Sequence, residues 1–328
     1  MIKDVARSLW ALGWIGGGAI AAFVVLLLVA PWVASPYVVS LLMAMFMYIV
    51  VCSSWNIISG FTGYVSFGHV VFWGVGAYVT AVLVWKFNYP WPLAVMLGGV
   101  GSAFLATIVS YPILKLTGIY FAISMLALAE AIKILTSHFR SVTGGGGGIY
   151  LRPMASLNIL YLMMGFLALA VVLVCYSITH TKFGRSLLTI REDETAAESL
   201  GINITRRKIQ ALILSGLFPG IAGGIYVMNV CFIDPATAFN ISITVNIILM
   251  TTFGGIGTII GPVLGPVAFT ALSEFLWASF PFLHRAILGA ILIAMVMGMP
   301  NGIMPFMVRF AQWVGIREFF LRRREASQ

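Results

Sequence analysis

The sequence predicts an all-α, polytopic membrane protein of about ten transmembrane helices, some broken by glycine, with one polar helix on the cytoplasmic side. Two observations carry the class. Of the 328 residues 61% are hydrophobic and only 9% charged, and apolar runs of about 20 residues, the length that crosses a hydrocarbon core, recur from end to end. A transmembrane barrel would instead alternate over strands of about ten residues. A third observation sets the internal organisation: the few charges are clustered. Gly184 to Gly201, GRSLLTIREDETAAESLG, holds four of the ten acidic residues.

Ten spans follow in order, at roughly 9–34, 37–58, 64–86, 91–113, 119–138, 157–179, 207–230, 241–260, 263–281 and 286–308. The first follows Lys3 and Arg7 and resembles a signal peptide, but its apolar run is too long for a signal core and reads as a retained helix. Pro31, Pro36, Pro90, Pro92, Pro112 and Pro235 fall near the joints, where proline disturbs a helix least. Cys52, Cys175 and Cys231 have no paired spacing and read as small hydrophobes, not metal ligands or disulfides.

Thirteen of the 19 Lys and Arg residues lie in three places: before the first span, in and just after the island (Lys182, Arg185, Arg191, Arg206, Arg207, Lys208), and after the last span. An even number of spans puts those three places on one side. The positive-inside rule makes that side cytoplasmic, with both termini there. The net charge of +9 therefore marks cytoplasmic loops and lipid headgroups, with Arg322 to Arg324 as a lipid anchor, rather than nucleic acid. The chain reads as a single transmembrane domain: six spans over 1–180, the polar loop over 181–208, four spans over 209–308 and a basic tail over 309–328.

Written as one helix, the island is amphipathic. Leu187, Ile190, Ala197 and Leu200 are apolar, and Arg191, Glu192, Asp193 and Glu194 form a charged first half where the helix dipole favours acids. Ala196 and Ala197 give a low, smooth centre, and Gly201 a left-handed stop. The plain alternative is a solvated linker. The sharper one is a docking element, since small residues admit a close partner and flanking charges orient it.

Ala196, Ala197 and Gly201 match the Glu-Ala-Ala, three residues, Gly pattern of the coupling loop in ABC importer permeases, with Thr195 at the glutamate position and Glu194 one residue early. The longer string IREDETAAESLGI, with FGRSLL before it and RRKIQAL after it, more closely resembles the M-type permeases of branched-chain (leucine/isoleucine/valine) amino acid ABC importers. Ser59 to Val79, Leu116 to Glu130, the Thr143-Gly-Gly turn and Thr252 to Val267 resemble the same family. The run Gly144 to Gly148 departs from the usual form, which has polar residues between its glycines. The resemblance implies a bacterial inner-membrane permease that pairs with a second, H-type permease. It also implies two cytoplasmic ABC ATPases that hydrolyse MgATP, and a periplasmic or extracellular solute-binding protein that delivers a small molecule.

Two apolar stretches are broken by glycine: Gly60, Gly63, Gly68, Gly74 and Gly76, and Gly254, Gly255, Gly257, Gly261 and Gly265. Unwound backbone in a membrane must face protein or a water-filled cavity, which points to a translocation pathway. Close packing of small residues is the equal alternative. Ser66 and His69, three apart and on one side if helical, join this candidate set, as do Glu130, which Lys133 can neutralise as an i,i+3 partner, and the unpaired acid Glu274. Each also has a structural reading, as a hydrogen-bonded or ion-paired group.

No GxxxxGK[ST] occurs, so the chain binds no nucleotide or other cofactor through a phosphate loop of its own. A gradient-driven transporter needs an ion or proton relay, and His69, Glu130, Lys133 and Glu274 are few and scattered. A membrane enzyme needs a His/Asp/Glu or Ser/His/Asp constellation at one depth, and none is spaced for it. The importer permease is the reading that also uses the island, with another small polar solute such as urea, an amide or a carboxylate as the alternative cargo.

Overall fold

The computed structural model describes residues 23–280 apart from 26, together with 283, 286–287 and 289–290. Most of the first expected span, almost all of the tenth, and the basic tail lie outside the described residues. Helix α1, Pro36–Trp55, starts under a Ser35 cap whose hydroxyl accepts from Val38 N–H. Pro36 stands in the first turn, where its missing N–H loses nothing. The helix runs on as a π-helical stretch, Asn56–Gly60. Then come α2 (Val70–Phe87), α3 (Trp91–Ile113), α4 (Gly118–His138) and α5 (Leu157–His180). The island follows as α6 (Lys182–Glu192) and α7 (Glu194–Ser199). The last elements are α8 (Ile204–Val230), α9 (Ile241–Gly254), which is preceded by the single turn Pro235–Ala238, and α10 (Gly261–Ser279). Seven of the described helical stretches are long and apolar enough to cross a membrane, and the chain is an all-α polytopic membrane protein.

Two expected spans change at glycine. The third begins at Val70 instead of 64, and the eighth stops at Gly254 instead of 260. Gly63 (φ +79°) and Gly255 (φ +116°) take backbone conformations that end a helix. Hydropathy counts the apolar residues of an unwound stretch as readily as those of a helix, so the pattern overran both breaks.

The core is built around α8, which packs on α3, α2, α1 and α5. Glycine brings these backbones together. A Cβ at Gly76 of α2 would come 2.1 Å from the Gly220 carbonyl oxygen of α8, and one at Gly220 would come 2.4 Å from Ser102 Oγ of α3. Small polar side chains satisfy the backbone there: Ser102 Oγ donates to Phe72 O at 2.6 Å and Thr80 Oγ1 to Gly76 O at 2.8 Å. Gly265 of α10 lies as close to Met250 O of α9. Without a hydrophobic drive between helices in lipid, such close approach is a main source of cohesion.

At the end of the bundle remote from the island, β1 (Ile149–Tyr150) pairs antiparallel with β2 (Phe232–Ile233), Ile149 opposite Ile233. Leu151 N–H extends the pairing to Cys231 O at 2.8 Å. The glycine run turns the chain into β1, and a Cβ on Gly148 would sit 2.4 Å from Ile233 O. Cys52 and Cys175 are buried thiols against backbone carbonyls, as small hydrophobes are placed; Cys231 is half-buried.

Candidate functional site

The island is two helices, which corrects the single helix expected over Arg191–Gly201. Thr181 Oγ1 accepts from Gly184 N–H to start α6. Asp193 then leaves helical geometry (φ −160°, ψ 119°), and its carboxylate accepts from Thr195 N–H at 2.8 Å and Ala196 N–H at 3.1 Å to start α7. An Asp cap of this kind competes with continuation of the preceding helix. Glu192 therefore ends α6, and the favourable acidic first turn belongs to α7 through Glu194. Gly201 (φ +76°) closes α7 in the left-handed conformation. Asn203 Oδ1 accepts from Arg206 N–H and opens α8.

The break redistributes the faces. Leu187, Ile190 and Ala197 are buried, whereas Leu200 is 72% exposed. Ala196 is exposed, so the two alanines do not share one smooth surface. Glu192, Ala196, Glu198, Leu200 and Gly201 form the open side.

The other side is tied to the bundle at two points. Arg191 Nη1 donates to Gly60 O at 2.6 Å, the last residue of the π-helical stretch. Its side chain also lies against Gly63 and Gly257: a Cβ on Gly257 (φ +77°) would meet Arg191 Nη1 at 2.3 Å. Asn56 completes the junction. Its Nδ2 donates to Thr258 O at 2.8 Å, and its Oδ1 accepts from Gly257 N–H at 2.8 Å. One guanidinium and one amide thus join the island to both glycine-broken stretches.

The second tie is ionic. Glu194 Oε1 accepts from Lys208 Nζ at 2.7 Å and from the Tyr64 hydroxyl at 2.6 Å, and Lys208 Nζ also donates to the Tyr64 oxygen at 2.5 Å. Lys208 is 3% exposed, its ammonium lying 4.0 Å from the Tyr64 ring centroid. Tyr64 packs edge-on against Phe121 of α4. Burial, and then the Glu194 carboxylate, raise the Tyr64 phenol well above its ordinary range, so it stays a neutral donor. Lys208, expected at the headgroup level from its neighbours Arg206 and Arg207, is instead buried, and Asn56, Tyr64 and Thr258 join the site without having been expected there. The signal available was a lone amide, Asn56, inside an apolar run.

Ser66 and His69 do not share a helix face. Gly63–Ser66 is irregular, and Phe67–His69 forms a turn before α2. Side chains take over the hydrogen bonds that a helix would supply: Ser59 Oγ accepts from Ser66 N–H, Trp55 Nε1 donates to Ser66 O at 2.9 Å, and Thr244 Oγ1 accepts from Val70 N–H. Gly68 lets this strand of backbone lie directly on the Met125 carbonyl of α4. Both Ser66 and His69 are fully buried. In the second break Thr258 Oγ1 donates to Gly255 O and accepts from Gly261 N–H, while Gly254 and Gly261 meet backbone to backbone. Protein side chains thus satisfy part of the unwound backbone at both places, as buried backbone in a membrane requires.

The glycines therefore divide. Gly74, Gly76 and Gly265 pack helices, Gly63, Gly255 and Gly257 shape breaks, and Gly254 and Gly261 do both. Glu130 and Lys133 form the expected pair, Nζ to Oε1 at 3.0 Å, with side chains 45% and 32% exposed. Glu274 is not unpaired: the Tyr37 hydroxyl of α1 donates to it. Among the described residues, Glu130 and Glu274 share no hydrogen bond or ion pair with the Arg191 junction. A charge at the centre of a lipid-facing helix costs about 2.5–3.5 kcal/mol on insertion scales, so Glu130, mid-way along a membrane-crossing helix, marks a face that lipid disfavours.

Residues 37–296 match the family model described as branched-chain amino acid transport system / permease component. The high-affinity branched-chain amino acid transport system permease protein LivM of Salmonella typhimurium is 25% identical over 315 residues, covering 87% of this chain and 74% of the relative. Its namesake in Escherichia coli is 24% identical, covering 93% of this chain and 80% of the relative. A probable branched-chain amino acid transport permease protein LivM of Methanocaldococcus jannaschii is 24% identical, covering 65% and 68%. No solved structure matches the chain. A family match over most of the length agrees with seven helices long and apolar enough to cross a membrane: the chain belongs to the family of permease components of branched-chain amino acid transport systems, as a permease subunit of an ABC importer.

Proposed function

We propose that this chain forms half of the translocation pathway of an importer for leucine, isoleucine, valine or related hydrophobic amino acids, and that α6 and α7 receive the motion of its ATPases. The observation that carries the coupling role is the Arg191–Gly60 bond, which joins the island to the first broken segment while Asn56 joins that segment to the second. The open side of α7, with Ala196, Glu198 and Leu200, is the surface offered to an ATPase. Load on that surface passes through Arg191 and Glu194 to Gly60, Tyr64 and Gly257, and through the helix ends to α5 and α8. Segments without a continuous helical hydrogen-bond ladder yield before packed helices do, so they are the elements able to switch between outward and inward access.

The partners are an H-type permease, two cytoplasmic ABC ATPases that bind and hydrolyse MgATP, and a periplasmic or extracellular solute-binding protein. The membrane is the bacterial inner membrane, with the island and both termini cytoplasmic. The substrate class rests on the similarity to permeases named for branched-chain amino acid transport. The test is isolation of the tagged chain from its native membrane in mild detergent, then reconstitution with its binding protein. Co-isolation of a second permease and ATPases, with MgATP-dependent leucine uptake, is the expected result. A chain that comes out alone and moves solute without ATP overturns the reading.

A further inference from the structure

The structure assigns a substrate headgroup site to α4: Glu130 receives an ammonium and Lys133 a carboxylate, so the ligand is a zwitterionic α-amino acid. The inference rests on the importer reading above and adds the chemistry that selects its cargo.

Three observations carry it. The first is depth. Glu130 stands 12 residues into a 21-residue span, about 18 Å along a helix of about 30 Å, and Lys133 about one turn further. The second is coverage. Within this span only Phe121, Met125, Ala129 and Thr136 are buried, a stripe at nearly helical spacing. Ile119, Tyr120, Ile123, Ile134 and Leu135 are open. Glu130 and Lys133 flank the stripe with 45% and 32% of their side chains exposed. Lipid disfavours an exposed ion pair at this depth, so that side of α4 faces the pathway shared with the second permease.

The third is the chemistry of the pair. Lys133 Nζ donates to Oε1 at 3.0 Å and Oε2 at 3.3 Å of the one carboxylate. Among the described residues, neither group has another side-chain partner. Two opposite charges lie side by side, neutral together while empty. An amino acid exchanges partners one for one: its ammonium replaces Lys133 at Glu130, its carboxylate replaces Glu130 at Lys133, and no charge is left bare. Urea or an amide carries no charges for this exchange, and a simple carboxylate leaves Glu130 unpaired. The apolar residues along the same helix suit a branched aliphatic side chain.

An ammonium-bearing lipid headgroup has the same two charges, so lipid is an arm of the test. The complete complex is placed in nanodiscs of phosphatidylcholine and phosphatidylglycerol, and radiolabelled leucine binding is measured without the binding protein. ATP-driven uptake is measured in proteoliposomes of the same lipids. The variants are Glu130→Gln, Lys133→Met and the exchange Glu130→Lys with Lys133→Glu. Each single change is expected to weaken leucine binding and raise the KM for uptake at least tenfold, and the exchange, which keeps an ion pair, not to restore either. Wild-type binding by the exchange variant, or single variants within twofold of wild type, overturns the site in favour of a structural pair. A defect seen only when phosphatidylethanolamine is added assigns the pair to lipid and also overturns it. A wild-type complex that hydrolyses ATP but neither binds nor takes up leucine fails the parent reading before any variant is compared, and the headgroup site falls with it.

Discussion

The guanidinium of Arg191 and the carbonyl of Gly60 meet at 2.6 Å across 131 residues of chain. The donor stands in the last turn of the longer helix of the polar island, and the acceptor closes the π-helical stretch that continues α1. Wider π-turns are common at functional positions, where the altered ladder leaves backbone groups for other partners. Here that partner is a charged side chain on an element exposed to solvent along its other face, and the same side chain rests on Gly257 of the second break. The permease thus has a mechanical link from its surface to both unwound segments through one residue.

Replacing Arg191 with Met removes this link and little else. A hydrogen bond to a charged group contributes about 1.5–3 kcal/mol. The complex is expected to assemble and hydrolyse ATP, while leucine taken up per ATP falls about tenfold or more. Parallel uptake and phosphate-release assays in proteoliposomes measure this ratio. An unchanged ratio removes Arg191 from the coupling path.

Gly257→Ala tests the same junction from the other side. The position has φ +77°, and the added carbon would lie 2.3 Å from Arg191 Nη1, so both backbone and guanidinium must move. The expected loss matches that of Arg191→Met, and the double variant is no worse than either single one, because both break one contact. Additive losses would mean that Gly257 acts elsewhere.

The spans were legible in the sequence because a run of apolar residues is a local property, and α3, α4 and α5 fall within about a residue of their expected ends. The island was legible as polar but not as broken. Asp193 followed by Glu194, Thr195 and Ala196 is a helix-start pattern, yet a long amphipathic stretch masks it, and the faces of Ala196 and Ala197 went wrong with it. The junction itself was not legible. Asn56 and Gly257 are 201 residues apart, and Tyr37 and Glu274 are 237 apart. Only the fold brings them together, so Glu274 looked unpaired and the glycine segments looked separate from the island.

The Glu194–Lys208 tie is a stability element. Lys208 is 3% exposed, and removing its carboxylate leaves a buried ammonium with only a phenol. Breaking such a pair from one side costs about 3–5 kcal/mol when both charges are buried; with Glu194 36% exposed, a value near the lower end is expected. Glu194→Gln should lower the unfolding temperature of the purified complex. Adding Lys208→Met should recover part of the loss, because the stranded charge is gone. A thermal-shift series on the two single variants and the double variant reads this directly, and a neutral Glu194→Gln contradicts it.

The open and buried alanines separate docking from folding. Ala197 has no exposed surface, so Ala197→Leu overpacks the island against the bundle, which costs about 1–3 kcal/mol. Ala196→Leu and Leu200→Asp alter only the solvent side of α7 and of the residue that follows it. Stability should fall for Ala197→Leu and hold for the other two, while ATPase co-isolation should fall most for Ala196→Leu and Leu200→Asp. The pairing of the two readouts matters, because loss of ATPases from a misfolded permease says nothing about the surface. If Ala196→Leu and Leu200→Asp keep both full stability and full ATPase content, the docking surface lies on another face of the island, and Glu192 with the exposed end of α6 becomes the next place to look.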